Sequence, residues 1–452
     1  MSTRRKIQLL LWTYFWLLIF EGALRKWVLP GLSTPLLLVR DPVAIAAIML
    51  GWPYLTRRPW VGWVGLLWGI GGAGVFFAMA VGHQDLVTAL YGARILWIHW
   101  PLIFLFAAVF TRDDVYTFAK AAAFIAIPMA VLIALQFSSP QSHFVNLAPG
   151  GDEGVGFSGA LGKFRPPGTF SFTNGLSEYL GFAAACVVAL LVSGPRPLPK
   201  WIWASCAALV VSLPVSISRT VLFKYVLVVI PTAVASSLSG RNIKNFLLAG
   251  VLVCLVALAA SQLPIFRDAQ RAFTSRWETA TKAEGEDEGV RGVLRQRVGG
   301  GTIGAAARAF DAPVLGHGVG LGTNVGSMRA GGRRGFTLGE AAWQVTIAEL
   351  GPALGLLYIG LRVAMTIWLL RLAWRQAVRG NAAPLILGGS ALPLVFFAPT
   401  AQATSLGFIV VGAGLMLAAG NATKVQTEAR LRTLRTAQPG PEGILVPKAR
   451  SG

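Results

Sequence analysis

The sequence predicts an all-α, polytopic membrane protein with about twelve transmembrane helices and one large extramembrane loop. Of its 452 residues, 54% are hydrophobic and only 13% are charged, and the mean hydropathy is +0.61, outside the range of soluble domains. Apolar stretches of about 20 residues, the length that crosses a bilayer, recur along the chain. One polar segment, from Arg267 to Glu340, interrupts them with eleven basic and eight acidic side chains.

Twelve stretches are candidate spans. They occupy residues 7–24, 35–53, 61–82, 87–109, 116–137, 176–193, 200–216, 219–238, 244–263, 344–370, 382–399 and 402–420. The first follows three basic residues, as a signal peptide does, but no small-residue cleavage site comes after it, so we expect a retained anchor.

These spans divide the chain into four parts. Residues 1–263 hold the first nine spans and an external loop at 138–175, and residues 264–341 form the large loop. Residues 342–420 hold the last three spans. The basic tail at 421–452 is expected to be disordered or to lie on the anionic inner leaflet.

The placement of Lys and Arg orients the bundle. Half of the 40 basic residues lie in short segments that share one face if the N-terminus is inside, and such an excess marks cytoplasmic loops. Both termini are therefore predicted in the cytoplasm, and the large loop outside. The net charge of +21 follows from this topology, and because the basic residues are dispersed among the spans, nucleic-acid binding is not expected. The three cysteines and four histidines show no metal-ligand spacing.

Charged residues inside spans are costly, and they are usually paired or functional. We expect ion pairs close to the outer ends of the first two spans, and a packed, hydrogen-bonded histidine at His99. Two long basic side chains are expected to pair internally or to reach an interface, and Arg94 stays undecided. The expected pairs are Glu21 with Arg25 and Arg40 with Asp41, and the two long basic residues are Lys224 and Arg362.

Two arginines outside the apolar cores suggest an anion site. Arg165 lies in a rigid Pro/Gly loop ahead of the sixth predicted span, and Arg219 lies in a polar break (SISRT, 216–220) between two spans at the same face. A guanidinium offers a fork of donors that suits phosphate oxygens. Converging arginines there could hold a diphosphate without a metal.

A glycine run (PVLGHGVGLG, 313–322) ends the large loop, and a segment with two glutamates (EAAWQVTIAELG, 340–351) opens the tenth span. No strand precedes the glycines, so a nucleotide loop is not favoured. Together with Arg165, Arg219 and the opening segments at 20–27 and 39–42, these motifs resemble the O-antigen ligase and polymerase family of bacterial envelope proteins, in its exopolysaccharide-associated branch. The resemblance covers most of the chain, and it depends on the order of short motifs.

The resemblance implies a multispan membrane glycosyltransferase of the bacterial inner membrane, with its site at the periplasmic face and no metal or other cofactor. The implied donor is an undecaprenyl-diphosphate-linked glycan, and the acceptor is a second glycan or a lipid. Arg165 and Arg219 would hold the diphosphate, helped by Arg276 or Arg291. Membrane lipids and other polysaccharide-assembly proteins are the remaining expected partners.

The family histidine, nine residues before the final glutamate, is replaced here by Glu340. Either Glu340 orients or deprotonates the acceptor hydroxyl in its place, or this protein uses a different acceptor. Glu340 also fits a capping box with Thr337, and the two roles can coexist. Glu349 is expected to orient an arginine or the loop.

Two other function classes stay open from the sequence. A transporter or flippase of lipid-linked sugars or small anions explains the spans and the buried charges, but not the long exported loop. A non-catalytic scaffold of an envelope complex leaves Arg165 and Arg219 without a purpose.

Overall fold

The computed structural model describes residues 1–56, 60–152, 159–239, 243–285, 304, 313–329 and 342–423. Within these residues the fold is all-helical. Its α-helices are α1 (Thr3–Ala23), α2 (Arg40–Thr56), α3 (Val61–Ala80), α4 (Leu86–Arg94), α5 (Leu102–Val109), α6 (Arg112–Ser138), α7 (Thr173–Ser193), α8 (Trp201–Val215), α9 (Arg219–Ser239), α10 (Ile243–Ala260), α11 (Pro264–Gly285), α12 (Asn324–Arg329), α13 (Ala342–Val378), α14 (Ala383–Phe397) and α15 (Ala403–Ala418).

Helices occupy all twelve apolar segments that the sequence predicts as spans. Eight helical segments in the described part of the chain are long and apolar enough to cross a membrane. Three further apolar helices, α8, α14 and α15, are shorter. The chain is thus a polytopic membrane protein by the length and composition of its helices.

The fourth predicted span is not a uniform helix. After α4 the backbone widens into a π-helical turn, Ile95–His99, before α5 begins at Leu102. Such turns are uncommon, and they are found frequently at functional sites. Arg94, immediately before this turn, and His99, its last residue, both reach Asp41.

The helix α7 forms the centre of the bundle. Of its apolar window, 94% is buried, because α6, α8, α9, α14 and α15 pack around it. An apolar helix that is buried all round belongs to the core of a large bundle. The start of α7 is therefore held firmly next to the loop that carries Arg165.

The last helix, α15, packs against α5 and α14 and closes the bundle. The Arg40 Nη2 atom donates a hydrogen bond of 2.6 Å to the Ala403 carbonyl at the start of α15. Just beyond its end, Asn421 Nδ2 donates to the carbonyls of Ala107 and Phe110, at 2.7 and 2.8 Å. Polar contacts at both ends of α15 thereby join the last span to the second span (α2) and to the end of the fourth (α5).

The charges inside the first, second and fourth spans are paired; the expected pair of Glu21 with Arg25 is confirmed, whereas Arg40 and Asp41 have other partners. Arg40 Nε lies 3.0 Å from Glu21, while Asp41 accepts two hydrogen bonds of 2.7 Å from Arg94. Consecutive residues such as Arg40 and Asp41 point to different sides of a helix, so they do not pair with each other. The prediction of an Arg40–Asp41 pair is therefore wrong, although both residues are in ion pairs. Glu21 and Arg25 are 3.9 Å apart.

His99 is fully enclosed beside this network and is hydrogen-bonded at both ring nitrogens, as predicted. Its Nε2 lies 3.1 Å from Asp41 Oδ1, and its Nδ1 lies 2.9 Å from the Tyr14 hydroxyl. A carboxylate only accepts, so Nε2 carries the hydrogen and Nδ1 accepts from the tyrosine.

The other two basic residues inside spans also have partners in the protein. Lys224 on α9 lies 2.5 Å from Glu178 on α7. The Arg362 guanidinium donates to the carbonyls of Leu394, Val395 and Ala398, at 2.8–3.1 Å. These carbonyls lie in the last turn of α14 and at its C-cap, and the Leu394 carbonyl also accepts from the Ala398 amide. Because carbonyls at a helix end run out of partners within the helix, Arg362 caps the C-terminus of α14.

Candidate functional site

The segment after α10 does not begin as an irregular loop. It forms the 22-residue helix α11, which packs against α8 through an apolar stripe. Phe266, Ala269 and Ala272 are buried along this stripe, and their spacing of three residues is typical of a helix with one face on a core. The opposite side bears exposed charges such as Arg271, whose side chain is 76% accessible.

Arg276 lies further along α11, and it fixes the loop that carries Arg165. Its Nη1 atom donates a hydrogen bond of 3.0 Å to the Gly159 carbonyl. Gly159 and Lys163 are themselves joined by a backbone hydrogen bond of 2.9 Å. This turn ends two residues before Arg165, so α11 holds both Arg276 and the base of the Arg165 loop in place.

Arg219 is the first residue of α9, after a sharp turn that follows α8. Ile217 in this turn has a φ of +46°, a left-handed conformation that is strained for a β-branched residue. Its side chain is fully buried, and the neighbouring Ser218 hydroxyl lies 3.3 Å from that of Ser177 at the start of α7. Burial and this contact hold the strained turn, and with it the position of Arg219.

Arg276 and Arg219 both lie close enough to Arg165 to affect it electrostatically. The pKa of Arg165 is lowered from 12.5 to about 10, first by partial burial and then by the positive charges of Arg276 and Arg219. Like charges are brought together in this way at sites that bind anions. We call Arg165, Arg219 and Arg276 the arginine cluster, and the end of the bundle where it lies the loop face.

Buried side chains from other helices support the Arg165 loop. Lys26 Nζ donates to the Gly168 carbonyl at 2.6 Å, and Gln136 Oε1 accepts from the Gly168 amide at 2.8 Å. Thr169 Oγ1 donates to the Ile19 carbonyl at 2.7 Å. Gly168 has a φ of +60°, which glycine adopts without strain. The sequence motif predicted a rigid loop, but not the Lys26 and Gln136 contacts that support it.

The glycine run packs directly against the start of α13. The backbone amides of His317 and Gly318 donate to the carbonyls of Ala348 and Glu349, at 2.8 and 3.0 Å. These carbonyls are free to accept because α13 breaks at Gly351, which has a φ of +74°. A side chain at Gly316 would collide with the Glu349 carbonyl, so the glycines serve close backbone packing.

Glu349 binds this run through its side chain as well. Its Oε1 accepts a hydrogen bond from the Gly322 amide. The contacts that the structure gives for Glu349 are to the glycine run, and none of them is to the arginine cluster. Of the two roles expected for this residue, the arrangement corresponds to orienting the loop.

The far side of the glycine run contacts the turn between α3 and α4. His83 donates its backbone amide to the His317 carbonyl and its Nε2–H to the Val319 carbonyl, both at 3.1 Å. Arg329, on α12, makes two hydrogen bonds to Asp85, at 2.6 and 3.1 Å. This guanidinium, helped by Thr88, holds the pKa of the Asp85 carboxyl well below its usual range.

Of the six candidate residues from the sequence, the structure brings together Arg165, Arg219 and Arg276. Glu349 lies at the glycine run, and Glu340 and Arg291 lie outside the described residues. Comparison with known proteins finds no matching family model, no similar curated protein and no similar solved structure.

These residues offer positive charge and hydrogen-bond donors. In the described part of the chain no three His, Cys, Asp or Glu side chains are grouped so that they could hold a metal ion. Three guanidiniums can bind a diphosphate through charge-assisted hydrogen bonds. Such an arrangement can also stabilise negative charge that develops on a leaving group.

Proposed function

We propose that the chain is a membrane glycosyltransferase that polymerises or ligates glycans carried on undecaprenyl diphosphate. The observation that carries the proposal is the arginine cluster, which lies at one end of a membrane helix bundle beside the long loop. The diphosphate of a polyprenyl carrier lies at the membrane surface, at the level of this end of the bundle, while its lipid chain lies among apolar helices. The order of motifs that resembles the O-antigen ligase and polymerase family supplies the substrate class.

The topology belongs to the same proposal. We infer from twelve spans and from the placement of Lys and Arg that both termini are cytoplasmic, that the loop face is periplasmic, and that the bundle lies in the inner membrane of a bacterium. Lipid-linked glycans in the periplasmic leaflet then reach the protein on the side where the arginine cluster lies.

The proposed reaction is a single displacement. The acceptor hydroxyl oxygen attacks the anomeric carbon, the bond from that carbon to the diphosphate oxygen breaks, and undecaprenyl diphosphate leaves with the bonding electrons. Glu340 takes the proton of the hydroxyl. In-line attack inverts the anomeric centre, and the arginines bind the charge that grows on the diphosphate.

A detergent assay tests the enzyme against the transporter and the scaffold. Detergent leaves no compartments, so consumption of the lipid-linked glycan by the purified protein requires a chemical step. Arg219→Ala is expected to reduce the rate by about 100- to 1000-fold, the usual cost of losing one donor to a developing anion. Arg271→Ala, an exposed arginine on α11, is the matched control and should keep the full rate. Equal rates for all three proteins would contradict the proposal.

The glycan profile of cells separates polymerase from ligase. Single repeat units in cells that lack the protein, where wild type makes long chains, identify a polymerase. Chains of normal length that stay lipid-linked identify a ligase. If Arg219→Ala and Glu340→Ala both fully restore the glycan profile of these cells, the result would favour the transporter or the scaffold over the enzyme.

A further inference from the structure

A cavity of about 300 Å³ opens beside the arginine cluster on the loop face. The segment that follows α6 forms one wall, and the loop that carries Arg165 forms the other. Arg165 belongs both to this wall and to the cluster, so the cavity adjoins the proposed diphosphate site. Its volume is at the lower end of the range for small-molecule pockets, about 300–1,000 Å³, and suits one or two rings.

Two side chains that line the cavity each have one buried polar atom without a hydrogen-bond partner among the described residues. These atoms are the acceptor Gln141 Oε1 and the donor Arg165 Nε. Buried polar groups in proteins are nearly always hydrogen-bonded, so such a pair at a cavity indicates a ligand that both donates and accepts. A hydroxyl group does both, whereas a phosphate oxygen cannot donate to the Gln141 carbonyl group.

The remaining walls suit a neutral ring. Phe164 and Phe172 contribute aromatic surface, and Asp152 offsets one of the two positive charges, those of Arg25 and Arg165. The Arg25 guanidinium is already bonded to the Ser33 carbonyl and the Ser171 hydroxyl, at 2.6 and 2.7 Å. Asp152 and the existing hydrogen bonds of Arg25 thus offset most of the positive charge that could attract a second phosphate to the cavity.

We propose that this cavity is a subsite for a neutral, hydroxyl-rich sugar residue, the one attached to the diphosphate. Gln141 accepts a hydrogen bond from a sugar hydroxyl, Arg165 Nε donates to a sugar oxygen, and the phenylalanines contact the apolar face of the ring. The inference rests on the proposed function, since the diphosphate in the arginine cluster places the sugar here.

Binding to the full chain in lipid nanodiscs tests the subsite separately from the diphosphate site. The probes are bare undecaprenyl diphosphate and the same carrier bearing a single glucose, galactose or N-acetylglucosamine. At least one sugar-bearing carrier is expected to bind wild type more tightly than the bare carrier. Gln141→Met keeps the side-chain volume and removes the acceptor. It should weaken the binding of that sugar-bearing carrier about 10-fold and leave the affinity for the bare carrier unchanged.

Two further variants complete the design. Gln262→Met, at an exposed glutamine beyond α10, should bind all probes like wild type. Arg219→Ala should lower the affinity for the bare and for the sugar-bearing carriers by the same factor. Unchanged binding of the bare carrier by Gln141→Met also shows that this variant is folded.

The outcomes separate the two proposals. If the bare carrier binds but no sugar improves its affinity, or Gln141→Met loses no sugar-dependent affinity, the subsite is refuted and the diphosphate site stands. If Gln141→Met weakens both kinds of carrier equally, Gln141 supports the fold rather than the sugar, and the subsite is again refuted. If wild type binds none of the carriers, the proposed function fails, and the subsite fails with it.

Discussion

Arg276 and Gly159 are joined by a hydrogen bond of 3.0 Å across 117 residues of sequence. Through it, the helix that opens the long loop is tied to the turn that precedes Arg165. Arg276 therefore both contributes charge to the cluster and positions another member of it.

Replacing Arg276 separates these two contributions. Arg276→Ala is expected to lower turnover of lipid-linked glycan by at least 100-fold, since both the charge and the support of the Arg165 loop are lost. Arg276→Lys keeps the charge but cannot reproduce the planar guanidinium, so we expect an intermediate loss. Turnover in detergent measures both, with Arg271→Ala as the control on the same helix. A wild-type rate for Arg276→Ala would contradict the assignment.

Arg165 is predicted to reduce the stability of the empty protein. Its pKa in the folded chain is about 10, below the ordinary 12.5, so the folded state disfavours the charged form. Stability from this group should accordingly rise as the pH increases from about 10 towards 12.5. Arg165→Met removes the charge at neutral pH, and it should raise the Tm without ligand while abolishing turnover.

The same variant supplies a second measurement with a ligand present. Undecaprenyl diphosphate should raise the Tm of wild type more than that of Arg165→Met, because a ligand stabilises in proportion to its affinity for the folded state. A lower Tm for Arg165→Met without ligand, together with an unaltered ligand response, would show that Arg165 serves packing alone.

The glycine run is predicted to tolerate no side chain at Gly320. This residue has a φ of +100°, and a Cβ there would collide with the Thr88 carbonyl on α4. Gly320→Ala should detach the run from α4 and α13, which would lower both Tm and turnover. Gly65→Ala is the control: this glycine lies inside α3 with open space around it, so the change should be neutral or stabilise by about 0.5–1 kcal/mol. Equal behaviour of the two variants would refute close packing at Gly320.

Lys224 on α9 and Glu178 on α7 lie 2.5 Å apart. We therefore predict that substitutions of these two residues have non-additive effects on the free energy of unfolding. Lys224→Met alone leaves a buried carboxylate without its partner, and such changes cost about 3–5 kcal/mol. Adding Glu178→Gln removes the unpaired charge and should recover most of the loss. Reversible unfolding in detergent measures the four proteins of the cycle. Additive effects would mean that the two groups do not interact.

The helical positions and the approach of the arginines follow from local sequence. Apolar length marks each helix, and Arg165 and Arg219 both adjoin breaks at one end of spans. The pair of Glu21 and Arg25 follows from their spacing of one helical turn. The partners of Arg40 and Asp41 were not predictable in the same way, because the pairs Arg40–Glu21 and Asp41–Arg94 depend on how separate helices are rotated against each other. The support of Gly168 by Lys26 likewise depends on contacts between residues distant in sequence. The glycine run was interpreted from the sequence only as part of a family motif, and its close backbone packing against α13 was not predicted.

The contact between Arg40 and Ala403 has a consequence for biogenesis. A membrane chain emerges from the ribosome with its N-terminal part first, so Arg40 enters the bilayer long before its carbonyl partner on α15 is synthesised. Glu21 is already present and can shield the charge in the meantime. Until α15 is inserted, the Arg40 guanidinium therefore lacks this hydrogen-bond acceptor. A nascent chain released before that point should be recognised and degraded by membrane quality control.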